Sequence, residues 1–150
     1  MFNGITKKAP TAIFNISGIG EFSLLTQPNS KFWFCNFKCY SSSYSIELSI
    51  ETIDSCEPSE QQINAIKAIP EKHDAIVLFL LNHLKEEYKK EELTIEKLSE
   101  MYYLMAITLK PDGKEWWYVL EPDTNTPSKL NHMIRFTVIE DQITWCNINA

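Results

Sequence analysis

The hydrophobic period of this chain changes twice. Over "YSIELSIET", residues 44–52, apolar and polar residues alternate. Ile46, Leu48 and Ile50 point one way; Glu47, Ser49 and Glu51 point to water, which describes a strand with one wet face. From Ser59 to about Lys90 the apolar spacing becomes three or four, the period of a helix. After about Tyr102 it returns to two. Runs of strands separated from helices predict an α+β fold. The expected architecture is an antiparallel β-sheet of about seven to eight strands, with two to three helices inserted mid-chain and packed on one face.

Local signals place the elements. "TAIFNISGIGEFSLLT" reads as a hairpin turning at Gly18-Ile19-Gly20, since glycine supplies the positive φ of a tight turn. In the strand "KFWFCNFKCY", Trp33, Cys35, Phe37 and Cys39 share one face, and Phe32, Phe34 and Tyr40 share the other with Asn36 and Lys38. Ser59 followed by Gln62 is a capping-box pattern at a helix start. Pro70 ends or kinks that short helix, because proline lacks an amide donor. A second helix is expected over about 71–90. Its stripe is Val77, Leu81, Leu84 and Tyr88, broadened by Ile76 and Leu80, and Glu86 and Lys90 sit at the favourable i,i+4 spacing. Thr94 caps a third short helix, which gives way to a strand near Tyr102. Pro111-Asp112-Gly113 is a turn. "EWWYVLE" is a strand, and "HMIRFTVIEDQITWCNI" is two strands turning at Glu140-Asp141.

Length and charge bound the function. At 150 residues, 44% of them hydrophobic and 23% charged, the chain suits a single globular domain spanning 1–150 rather than a disordered segment. The net charge is −6, and Arg135 is the only arginine. Nucleic-acid binders neutralise phosphates with Arg and Lys, so this balance argues against that class and suits a basic protein partner. "MFNGITKKAPTAIF" shows no continuous apolar segment of a leader. "AIVLFLL" is too short for a membrane span. A soluble, cytoplasmic protein with no membrane association is expected.

Four cysteines raise the question of bridges. Along one strand Cys35 and Cys39 lie about 13 Å apart, beyond the ~7 Å a disulfide tolerates. Four free thiols are expected, mostly as small buried residues.

Candidate chemistry thins out on inspection. Gly18-Ile19-Gly20 partly resembles a dinucleotide fingerprint, but a strand follows where a helix N-terminus is needed. His73 and His83 are ten residues apart, about 80° out of alignment on a helix. His83 and Glu87 share a face without further ligands, so no metal is expected and these histidines read as surface or edge residues. His132 opens a strand after a loop and reads as a structural hydrogen bonder. Cys56 precedes a helix start near Asp54, but no local histidine pairs with it. Arg135 lies mid-strand among acids, where a cross-strand glutamate is its ordinary partner and a carboxylate ligand the alternative. No cofactor is implied.

The tryptophan pair carries the strongest functional lead. Trp116, Tyr118 and Leu120 share one strand face; Trp117 and Val119 share the other with Glu115 and Glu121. Two arrangements accommodate Trp117. One is a second minor core, closed by the N-terminal hairpin or the 122–131 loop. The other is an exposed aromatic patch among acids, the anatomy of a protein-binding hot spot, with Trp117, Glu115, Glu121, Glu47 and Glu51 as its residues.

Three stretches also resemble a bacterial family of small domains of unknown function. "EPSEQQINAI" resembles its helix start after a strand, and "LLNHLKEEY" its central helix ending in tyrosine. "WWYVLEPDTNTPSKLNHMIRFTVIEDQI" resembles its closing strand, polar loop and histidine-led strand. The match covers about residues 30–148. The family strand commonly reads Glu-His-Gly-Leu-Gly-Val where this chain has Asn131 to Phe136, so roles of that glutamate and both glycines do not transfer. Members are often encoded beside secreted toxins and are taken for immunity or accessory binding proteins. The resemblance implies no enzyme activity; together with the acidic charge and the aromatic patch, it makes a non-enzymatic, cytoplasmic, immunity-type inhibitor of a basic bacterial toxin the first expectation. A small-ligand binder or enzyme with a pocket around His132, Arg135 and Cys56 is the alternative. A homo-oligomeric structural module, pairing its own aromatic face, is a third.

Overall fold

Gly18 and Gly20 have φ of +84° and +143°, and they reverse the chain between β1 (Ile13–Ile16) and β2 (Gly20–Gln27). This is the hairpin that the glycine pair predicts. The computed structural model describes residues 12–27, 30–39 and 42–148. Tyr40 and the N-terminal residues 1–11 lie outside these. β3 (Ser30–Lys38) and β4 (Ser45–Ile50) follow, then α1 (Glu60–Lys67), α2 (Ile69–Glu87) and α3 (Ile95–Met101). β5 (Tyr102–Leu109), β6 (Glu115–Pro122), β7 (Ile134–Ile139) and β8 (Gln142–Asn147) complete an α+β chain.

The helix boundaries obey their local chemistry. Ser59 Oγ accepts the Gln62 amide, and the Gln62 side chain accepts the Ser59 amide, closing a reciprocal capping box. Pro70 falls in the first turn of α2, where a missing N–H has no partner to lose. Thr94 accepts the Lys97 amide at 3.0 Å and caps α3. β5 begins at Tyr102, directly after α3, as the change of period indicates. Helix α2 stops at Glu87, so Lys90 falls in a 3-10 turn and cannot make the expected helical pair with Glu86. His83 instead comes within 4.0 Å of Glu87.

The sheet runs in sequence order from β1 to β8, and every neighbouring pair but one is antiparallel. The exception is β4 with β5, which is parallel, a departure from a wholly antiparallel sheet. The inserted helices cause it. They carry the chain from the end of β4 back to the end where β4 began, so β5 must run the same way.

One face of the sheet is the core. Trp33, Cys35 and Phe37 of β3, Ile46, Leu48 and Ile50 of β4, Tyr118 and Leu120 of β6, and Ile134, Phe136 and Val138 of β7 are buried. They form one cluster with Ile66 of α1 and Leu80, Leu81 and Leu84 of α2. Burying each of these aliphatic side chains contributes about 1.5–3 kcal/mol. In β5 the alternation breaks at a bulge between Leu104 and Ala106. The extra residue keeps both Leu104 and Ile107 in the core and leaves Met105 only partly buried.

Gln62 closes the parallel seam. Its side chain is 2% exposed as part of a buried residue, and its Nε2 donates to the carbonyls of Glu51 (2.8 Å) and Lys110 (3.1 Å), which directly follow β4 and β5. Replacing Gln62→Glu keeps an acceptor for the Ser59 amide but removes both donors. The expected loss is about 2 kcal/mol, read as a lower urea midpoint at unchanged slope; a variant as stable as the wild type would refute the role. At the other end of the stability scale, Glu140 and Asp141 turn β7 into β8 with φ of 50° and 63°. Both are left-handed positions that Asn-Gly fits better. The double change Glu140→Asn, Asp141→Gly should add about 1 kcal/mol, measured as a raised thermal midpoint.

Candidate functional site

The helix-free face answers the question posed by the tryptophan pair. Trp116 turns inward, partly buried against the core, with its ring stacked near Tyr118. Trp117 turns outward and is 44% exposed. Among the described residues no second core covers it. The N-terminal hairpin extends the sheet edge as β1 and β2 instead of folding over it. The 122–131 loop goes to the helix side, where Leu130 is buried and its carbonyl accepts the Tyr102 hydroxyl at 2.6 Å.

Strand register sets the outward row. Thr108 of β5 pairs with Trp117 of β6, Trp117 with Thr137 of β7, and Thr137 with Trp145 of β8. Trp145 is 51% exposed. Met105, Val119, Met133 and Arg135 join these side chains around a groove of about 510 Å³. The two indoles come from strands separated by one other, so their backbones stand about 10 Å apart with the small Thr137 between them.

Trp117 is held on two sides. Its indole Nε1 donates to Glu115 Oε2 at 2.7 Å. The Lys110 ammonium lies 3.8 Å from the ring centroid, a cation–π contact, and also donates to Glu51 Oε1 at 2.6 Å. The register explains why these residues meet: Glu51 and Lys110 follow β4 and β5 at the seam, and the Lys110 amide donates to the Glu115 carbonyl. Gln62 therefore ties the two backbones inside the fold while their side chains meet outside it.

All five residues of the expected patch lie on this face. Trp117, Glu115 and Glu51 form one cluster through Lys110, which sequence reasoning missed. Glu47 is exposed beside Asn36 and Ala106. Glu121 lies opposite Tyr103, near the other end of β6. Its Oε2 is buried without a hydrogen-bond partner among the described residues. Burial, then the Glu121 carboxylate, push the Tyr103 phenol above its ordinary range. Tyr103 stacks on Tyr44 with ring centroids 3.7 Å apart.

The alternative pocket does not assemble. Cys56 follows the C-terminal end of β4, and its carbonyl accepts the Trp33 indole at 3.0 Å. His132 precedes the start of β7, which the register puts at the opposite end of the sheet. Only Arg135 lines the outward groove. The expected glutamate partner of Arg135 is also missing. Its cross-strand neighbours are Val119 and Asn147, and among the described residues no carboxylate comes within 4.0 Å of it. His132 is exposed; its backbone amide donates to the Leu130 carbonyl at 2.9 Å, and among the described residues its ring makes no hydrogen bond.

His73 corrects a second expectation. It is a buried residue, 6% exposed, with Nδ1 2.9 Å from Asp74 Oδ1. It lines a cavity of about 350 Å³ with Tyr44, Tyr102, Tyr103 and Asp123. Its position four residues before Val77 places it on the apolar stripe of α2, a signal present in the sequence. Among the described residues no three His, Cys, Asp or Glu side chains converge as a metal site. Nor, among the described residues, is any helix long and apolar enough to cross a membrane. No family model, curated protein or solved structure matches the chain.

The four cysteines are free. Burial raises the Cys35 thiol, with Glu21 adding to it. Burial, then Glu87, push Cys146 up to about 11. Cys39 is buried and Cys56 exposed. An aromatic disulfide reagent at pH 8 should therefore label one thiol rapidly, and Cys56→Ser should abolish that phase. Labelling of Cys146 should accelerate only as the pH rises toward 11, because thiolate is the reactive form. Two or more fast equivalents at pH 8 would contradict this burial pattern.

Proposed function

We propose that this protein is a non-catalytic binding protein that occludes a protein partner with the helix-free face of its sheet. The carrying observation is the pair of exposed tryptophans, Trp117 and Trp145, set on one face around an apolar groove. Tryptophan is enriched in binding hot spots, and an indole already fixed by Glu115 and Lys110 loses little freedom on binding.

The charge of −6 supports a basic partner, since long-range attraction speeds encounter even where few acids reach the contact. The acids divide by role. Glu51 and Glu115 are committed to Lys110 and the Trp117 indole, so they position the anchor. Glu47, exposed on the same face, is left for steering. The resemblance to the toxin-associated family supplies the partner class: a basic bacterial toxin, neutralised one to one in the cytoplasm. Self-pairing of the aromatic face is the competing reading, and it makes a dimer of the protein alone.

Light scattering of the purified protein, followed by affinity capture from the source organism, tests this. A monomer should retain a basic protein, with affinity about thirtyfold lower for Trp117→Ser, Trp145→Ser. Glu47→Lys should slow association and flatten its salt dependence. A tryptophan-dependent dimer would replace the proposal with self-association. Partner binding indifferent to both tryptophans would refute it.

A further inference from the structure

We infer that the groove between Trp117 and Trp145 is a binding site for a slender apolar organic carboxylate, with Arg135 receiving the carboxylate. This inference does not depend on a protein partner.

Shape comes first. The indole-bearing strands stand about 10 Å apart, and Thr137 leaves the space between them shallow-floored rather than filled. Two apolar walls at that separation admit one flat ring or one alkyl chain between them. Met105 and Met133, both lining residues, are flexible enough to fit either. The volume, about 510 Å³, falls within the usual range for small-ligand sites.

Charge sets the head group. Arg135 is the one ionisable side chain of basic or acidic type in the groove lining. It stands two residues from Thr137 along β7, so its guanidinium lies at one end of the slot rather than at its centre. No carboxylate among the described residues neutralises it, although acids outnumber bases in the chain, 20 to 14. A planar guanidinium fork matches a carboxylate with two parallel hydrogen bonds. Lys110, the other cation near Trp117, is already engaged by Glu51 and cannot compete without breaking that pair. The hydroxyls of Thr108 and Thr137 add neutral polarity to the groove.

The second large cavity on the molecule provides an internal control. It lies between α2 and β6–β7 on the core side, holds about 550 Å³, and carries both Lys72 and Asp141 among Ile76, Phe79 and Trp116. A ligand drawn by apolar surface alone would enter it as readily.

Octanoate, octanol and octylammonium serve as probes, with binding followed by amide and indole chemical shifts. Octanoate should bind at least about tenfold more tightly than octylammonium. The shifts should centre on Met105, Trp117, Met133, Arg135 and Trp145. Arg135→Gln, an exposed substitution, should remove the preference for octanoate while leaving octanol binding in place. Equal binding of octanoate and octylammonium, an Arg135→Gln variant that keeps the preference, or shifts centred on Ile76, Phe79 and Trp116 would each overturn the assignment.

Discussion

Two carbonyls at the centre of the sheet have no strand partner to bond. They belong to Glu51 and Lys110, where the parallel strands β4 and β5 end and diverge, one into the helices and the other into a turn. The Lys110 carbonyl also accepts the Gly113 amide within its turn, but the Glu51 carbonyl follows a parallel strand with no hairpin to supply a donor, and an unpaired carbonyl is costly. The Gln62 amide donates to both. The same side chain also closes the capping box of α1. The helical layer is thus fastened to the sheet at the place where the sheet changes direction. Because Glu51 and Lys110 then project their side chains outward side by side, the seam also sets the position of the cation beneath Trp117.

Signals carried by near neighbours were legible. Ser59 and Gln62 are three residues apart, and their reciprocal cap is present. The alternation of Ile46, Leu48 and Ile50 fixed which face of β4 is buried. The passage from α3 to a strand near Tyr102 followed from the change of period. What escaped depended on distant pairing. Alternation is the same whether a one-sided strand meets its neighbour parallel or antiparallel, so the β4–β5 seam was not foreseen. Nor was the second task of Gln62, whose acceptors lie 11 and 48 residues away. Arg135 has glutamates nearby in sequence, but register sets Val119 and Asn147 beside it. Both destinations of Trp117 satisfied the alternation equally; the course of the 122–131 loop decided between them. His73 is a different case, since its helical phase was readable and its polarity outweighed it.

The two faces of the sheet are built to opposite rules. The inner face is continuous, its aliphatic and aromatic side chains packed in one cluster. The outer face sets large aromatic residues apart with threonine and serine between them, as in the row Phe34, Ser49, Thr108, Trp117, Thr137 and Trp145. Such spacing does not make a core. It makes recesses, and the Trp117 wall stands on β6, a strand paired on both sides.

The sheet order, collinear with the sequence, has a kinetic consequence. β1–β4 and β5–β8 are each a run of strands joined to their immediate neighbours, so their contacts are short-range and form early. Only β4–β5 joins residues separated by the whole helical segment, with Ile50 opposite Leu109. Closing that loop is the step with the largest chain-entropy cost. The two runs of strands thus share one pairing, and that seam, bridged by the helical segment, joins them into a single sheet.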